Sequence, residues 1–135
     1  MITLKTLPQA TAQEVFDQVV NHLAQQRRAS RLINESTCAY RGMYGLMCAA
    51  GCLVADDEIQ MVIERQSWLQ LVGDGRVPAA HKCLISDLQG IHDQYVPKNI
   101  KLRTLWLRDL RNMAAEYGLD PAAVDAMEAS WPEGE

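Results

Sequence analysis

A mainly α-helical domain carrying one small β-hairpin is the fold class this sequence predicts, and three observations predict it. Apolar residues recur at steps of three and four in several separate stretches, the spacing of one buried helix face. Capping and stop signals bound those stretches. Between them, Cys38 to Gly51 concentrates glycines and cysteines, where the helical period gives way to short apolar runs around a turn. The expectation is four to six helices packed around the hairpin, in a single domain over residues 1–135, with the hairpin insert at 37–50 and a short polar tail at 130–135.

Thr11 followed three residues later by Glu14 is a capping box. Val15, Phe16, Val19, Val20 and Leu23 then form one stripe, so the first helix is expected from Ala12 to Arg28. The next residues break that stripe. Two strands are expected at Cys38–Arg41 and Leu46–Ala49, with Gly42 and Gly45 freeing the turn; such a hairpin is marginal alone and must rest on helices. Asp56 or Asp57 can cap a helix running through Ile59, Val62 and Ile63, and Gly73, Gly75 and Pro78 mark a loop.

A strong helix is expected from Ala79 to Tyr95, with Leu84, Leu88, Ile91 and Tyr95 on one face and Pro97 as its stop. Asn99 is the expected cap of another, whose Leu102, Leu105, Trp106, Leu110, Met113 and Ala114 make a wide apolar face and whose left-handed cap falls on Gly118. Asp120-Pro121 opens the last helix, which turns Val124 and Met127 inward. The tail reads as too polar to extend the core.

Composition narrows the function. The chain is 48% hydrophobic and 22% charged, a globular mixture, and its net charge of −4 argues against broad electrostatic binding of nucleic acid. Neither an export signal nor an apolar run of roughly 20 residues is present, so a cytoplasmic protein is expected. In that compartment the four cysteines are expected to be reduced, without a structural disulfide.

The order Cys38-x-Tyr40-Arg41-Gly42, Gly45-x-x-Cys48-Ala49-x-Gly51-Cys52-Leu53-x-x-Asp56-Asp57-Glu58 and, later, Leu88-Gln89-x-x-His92-Asp93 resembles a set of small proteins encoded in bacteriophage and prophage genomes. The resemblance implies a phage origin and the bacterial host cytoplasm. It favours a protein that binds and redirects a host macromolecule over one that performs a reaction.

Several constellations compete with plainer explanations. Cys38, Cys48, Cys52 and Cys83, with His81, are enough to hold zinc, but intervals of ten, four and thirty-one residues are not the paired knuckles of structural zinc sites. Cys48 or Cys52 could serve as a nucleophile with His92 as base. Asp93 is then poorly placed to orient the ring, because helix neighbours point about 100° apart. His92-Asp93 also has the look of a metal-dependent phosphohydrolase signature, for which His22, His81, Asp109 and Asp120 could supply further ligands. Asp56, Asp57 and Glu58 suit a divalent cation, but helix capping explains them.

Ala114, Gly118 and Val124 are spaced like a helix-turn-helix, yet Asp120, Asp125 and Glu128 would meet phosphate with like charge. Lys98, Lys101, Arg103, Arg108 and Arg111 make the stretch 98–111 basic, either as a solvated face or as a nucleic-acid surface.

The residues read as partner-binding are Tyr40, Arg41, Met43, Tyr44 and Met47, together with His92 and Asp93. Tyr, Arg and Met combine large contact area, planar donors and adaptable packing, and a turn would present them outward. Truncating Arg41 and Tyr44 should then leave stability nearly intact. The expectation is a non-enzymatic phage or prophage accessory protein that binds and modulates a bacterial host protein, with no catalytic residue, metal, cofactor or membrane partner. A metal- or thiol-dependent enzyme, or a zinc-binding protein, using Cys38, Cys48, Cys52 and His92 is the alternative, and a nucleic-acid-binding regulator using 98–111 is the third.

Overall fold

The computed structural model describes residues 1–32 and 38–134. Five α-helices form there: α1 (Ala12–Gln26), α2 (Trp68–Gly73), α3 (Lys82–Asp93), α4 (Leu102–Glu116) and α5 (Ala122–Ser130). Short 3-10 turns occur at Leu7–Gln9, Met43–Gly45, Ala50–Leu53 and Asp56–Met61.

α1 begins as its sequence dictates. Thr11 Oγ1 accepts the Glu14 N–H at 3.1 Å, and the Glu14 carboxylate accepts the Thr11 N–H at 2.9 Å. The helix closes at Arg27, whose φ of 59° is left-handed. Its buried face, Val15 to Leu23, packs on α3, α5 and the 3-10 turn at Ala50–Leu53. α3 in turn meets α2 and α4, and α4 meets α5. Gly118 supplies the expected left-handed cap of α4 at φ 66°, letting the Leu119 N–H reach Ala114 O at 2.7 Å. α3 is shorter than expected, because His81 enters it at φ 58° and Gln94 has left the helix in extended conformation, and α4 starts after Lys101 rather than at Asn99.

The hairpin is overturned. Among the described residues no strand forms; Cys38 makes an isolated antiparallel bridge with Arg31, while Met43–Gly45 and Ala50–Leu53 are 3-10 turns. Thr37, the expected first residue of the insert, lies outside the described residues. The physical reason is visible in the hydrogen bonds. Gly42 N–H reaches Leu46 O and Cys48 N–H reaches Ala39 O, two pairs in different registers, so no ladder can continue. The intervening donors go to side chains: Tyr40 and Arg41 N–H to the Glu64 carboxylate, Met47 N–H to Gln26 and Ala50 N–H to Gln89.

Three further departures shape the core. The expected helix after Asp56 is a 3-10 turn that ends at Met61. α2 has its own capping box, Ser67 with Gln70, and buries Trp68 and Leu71. The polar tail does extend the core: Trp131 is 3% exposed and meets Trp106 edge-on at 5.9 Å, while Trp106 stacks on His92 at 6.2 Å. No helix among the described residues is long and apolar enough to cross a membrane.

Candidate functional site

The residues read as a partner surface divide sharply. Tyr40 is 2% exposed; its hydroxyl donates to Gln66 O at 2.7 Å and its ring lies 6.5 Å from that of Trp68. Burial, with the nearby Cys48, Cys38 and carboxylates adding to it, drives its phenol well above the ordinary range. Arg41 is a brace. Its guanidinium donates to Tyr40 O at 3.1 Å, Gly51 O at 2.8 Å and Val54 O at 2.5 Å, and it pairs with the exposed Asp56 at 3.3 Å. Met47 is held at both backbone groups, its N–H by Gln26 at 2.9 Å and its carbonyl by Gln26 and His22 at 2.8 and 2.9 Å. Burial lowers the His22 pKa, outweighing that carbonyl bond.

Tyr40, and His92 at 1% exposure, therefore offer no surface to a partner, and Arg41 has its guanidinium turned to the chain's own carbonyls. Met43 and Tyr44 do stand outward, Tyr44 at 82% exposure. Tyr44 also sits at φ 58°, a left-handed conformation that costs a bulky residue about 1 kcal/mol. The following Gly45, at φ 75°, completes the turn.

The thiol, imidazole and carboxylate do converge, though not as a reactive centre. Cys38, His92 and Asp93 bring one ligand atom each within 4.8 Å of one another, the one such grouping of three among the described residues. Gln89 Nε2 donates to Asp93 Oδ1 at 2.8 Å and lies 2.7 Å from Cys38 Sγ. The buried Ser30 N–H donates to His92 Nε2 at 2.9 Å. Because a backbone amide can only donate, Nε2 must carry the lone pair and Nδ1 the proton, which it gives to Asp93 Oδ1 at 2.7 Å. Both ring nitrogens are thus committed: neither is open to deprotonate a thiol, and Nδ1 has no lone pair for a metal.

Cys38 is no activated nucleophile. Its hydrogen bond with Cys48, then burial, then the proximity of Cys48 and of the Asp93 carboxylate all raise its pKa far above that of an ordinary thiol. Burial pushes Cys52 up to about 12. Cys83 is exposed, and His81 binds Ala10 O at 2.6 Å. The further phosphohydrolase candidates are also engaged elsewhere: His22 with Met47, Asp109 with Arg108 and Gln94, and Asp120 with the Ala122 N–H.

Glu58 binds backbone rather than a cation. It accepts N–H groups from Leu4, Lys5 and Ala55. Burial alone would raise its pKa, but the bonds from Ala55, Leu4 and Lys5 outweigh it and the net shift is downward.

The basic stretch is largely consumed by the C-terminal segment. The buried Arg103 donates to Trp131 O at 2.6 Å and Glu128 O at 3.1 Å, Arg111 pairs with Asp125 and Glu128, and Lys101 reaches Glu133 O.

Sequence reasoning missed one cavity. About 350 Å³ opens between the chain around Cys38–Tyr40, the Arg65–Trp68 segment and the Ser86–Asp93 face of α3. Gly90 lies on its wall. An added Cβ there would meet nothing within 4 Å, so no crowding within the fold calls for glycine in mid-helix, where it is about 1 kcal/mol less favourable than alanine. That isolated glycine, inside an otherwise clean helical stripe, was the available signal.

Comparison with models of protein families, with curated proteins and with solved structures finds no match to this chain.

Proposed function

We propose that this chain is a non-enzymatic binding protein of phage or prophage origin that engages a bacterial host protein through the Met43–Tyr44 projection. The observation that carries the reading is Tyr44, an aromatic side chain almost wholly in solvent and held there at a backbone cost. Its neighbours are anchored on both sides, by Arg41 before it and by the Gln26 and His22 grip on Met47 after it. A rigid aromatic on a fixed base loses little freedom on binding, which is what makes Tyr effective in recognition. The commitment of His92, Cys38 and Asp93 to internal bonds supports binding over catalysis.

The test is capture of a host protein from bacterial lysate by the tagged chain, compared with Tyr44→Gly. Glycine accepts the left-handed backbone freely, so stability should stay at or slightly above that of the parent while capture is lost. Undiminished capture by a folded Tyr44→Gly variant would overturn the reading.

A further inference from the structure

We propose that Cys38 and Cys48 are a redox-modification site: a hydroperoxide closes them into a disulfide that staples the base of the loop bearing Met43 and Tyr44. Four observations lead there. The two thiols are hydrogen-bonded to each other. The backbone holds them together independently, because the Cys48 N–H donates at 3.2 Å to the carbonyl of Ala39, the residue next to Cys38. Cys38 is half-buried and lines the open cavity against α3, whereas Cys48 is buried, so a small oxidant reaches the first sulfur and the second, in contact with it, resolves the product. Finally, the groups around the pair tolerate the new bond. Gln89 Nε2, 2.7 Å from Cys38 Sγ, keeps Asp93 Oδ1 as an acceptor at 2.8 Å, and the Gly51 N–H, 3.3 Å from Cys48 Sγ, still meets a sulfur lone pair after closure. The other two cysteines lack this arrangement: Cys52 turns its thiol to Ala49 O at 3.1 Å, and Cys83 stands exposed on α3.

Closure is a two-electron oxidation. The Cys38 sulfur, on losing its proton, attacks one peroxide oxygen; the O–O bond breaks, a sulfenic acid forms, and the departing hydroxide takes up that proton as water. The Cys48 sulfur then attacks Cys38 Sγ, the S–O bond breaks, the S–S bond forms, and the hydroxide released carries off the Cys48 proton as a second water. Two thiols and one hydrogen peroxide thus become one disulfide and two waters. Because its surroundings keep Cys38 protonated, the first step is slow, and the site responds to sustained oxidant rather than to a brief pulse. The ring so closed spans residues 38–48 and contains the whole Tyr44 projection. A covalent tie across this stretch removes freedom from the unfolded chain and so stabilises the folded loop. The inference concerns the loop alone and does not depend on the host-protein reading.

The experiment is prolonged incubation of the full chain with a slight excess of hydrogen peroxide at low protein concentration, followed by intact mass, a tryptic map and thermal melting. Trypsin cuts after Arg41, so Cys38 and Cys48 fall in separate peptides that only the new bond joins, and fragmentation of the joined pair assigns the sulfurs. The expected product is a single chain lighter by two hydrogens and linked from Cys38 to Cys48. Its Tm should stand about 5–10 °C above that of the reduced chain, for a closed ring of this size, and return on adding dithiothreitol. Cys38→Ser should give no linked product and no rise in Tm on the same treatment, while Cys83→Ser should behave as the parent. Thiols still reduced after prolonged exposure, a Cys48–Cys52 link, sulfinic acid at Cys38 in place of the link, or a linked form melting no higher than the reduced one would each overturn the proposal.

Discussion

Replacing Arg41 by alanine removes one cation that gathers three carbonyls, those of Tyr40, Gly51 and Val54, at 3.1, 2.8 and 2.5 Å. A hydrogen bond to a charged donor contributes about 1.5–3 kcal/mol, but the three share one side chain and do not add. The Asp56 partner is fully in solvent, and an exposed ion pair contributes at most about 1 kcal/mol. Since the Arg41 side chain is itself 24% exposed, part of the loss is recovered by water reaching the carbonyls, and a net destabilisation of about 3 kcal/mol is expected. With about 2.1 cal/mol/K of unfolding entropy per residue over 135 residues, that is a fall of about 10 °C in Tm. Urea denaturation measures the free energy directly, with an unchanged slope showing that the folded state is otherwise intact. Asp56→Asn should lie within about 0.5 kcal/mol of the parent, and Arg41→Lys, which keeps the charge but not the planar fork, should fall between. An Arg41→Ala variant within about 0.5 kcal/mol of the parent, or one matched by Asp56→Asn, would refute the brace.

Two other perturbations probe the same region. A Cβ on Gly51 would lie 2.5 Å from Tyr40 O, a backbone atom that cannot step aside, so Gly51→Ala should destabilise by about 3 kcal/mol or more, whereas Gly75→Ala, where only the left-handed φ objects, should fall near 1 kcal/mol; equal effects in urea melts would remove the close-approach explanation. Alkaline stability is the second. Cys52 holds its proton to about 12 in the folded chain against 9.0 for a free thiol, and Cys38 and Tyr40 are raised as well, so the folded state binds more protons than the unfolded state above about pH 9. Stability from these groups is complete below pH 9 and is lost as pH climbs towards 12, by up to about 1.4 kcal/mol per pH unit for each titrating group. Under reducing conditions the urea midpoint should fall between pH 8 and pH 10.5, less steeply in Cys52→Ala, and a midpoint flat over that interval would contradict the burial of these side chains.

How much of this was legible depended on where each residue's partner sits in the chain. α1 was readable because both halves of its capping box and its whole buried stripe lie within fifteen residues. Leu84, Leu88 and Ile91 of the α3 stripe, the α4 stripe and the Gly118 cap were readable for the same reason, whereas Tyr95, expected on the α3 stripe, lies beyond the end of the helix and is exposed. The segment after Cys38 was not, because its donors are met by Glu64, Gln26 and Gln89, each more than twenty residues away. Its glycines misled for a physical reason. Turn glycines and close-approach glycines look alike in sequence, yet of these only Gly45 has a left-handed φ, while Gly42 is required by Ser30 Oγ and Gly51 by Tyr40 O, both 2.5 Å from where a Cβ would be. The Trp131 error was one of averaging, since a polar tail hid one aromatic that the core takes whole. Ser67-x-x-Gln70 was a local signal and could have given α2.

Seen together, the residues of the Cys38–Glu58 and Leu88–Asp93 motif act on one another before they act on anything else. Gln89 binds Ala50 through its carbonyl and both Asp93 and Cys38 through its amide; His92 binds Ser30; Arg41 holds Gly51 and Val54; Glu58 holds Leu4, Lys5 and Ala55. A segment without ladder or helix must have its polar backbone satisfied by side chains, and each such residue is then fixed in both type and position. A specific sequence pattern therefore arises here from the demands of an irregular scaffold, with no reaction needed to explain it. By the same logic, the features the scaffold does not require are the ones that bear on function. Among the described residues, those are an exposed tyrosine on a left-handed backbone and a helix glycine with nothing against it.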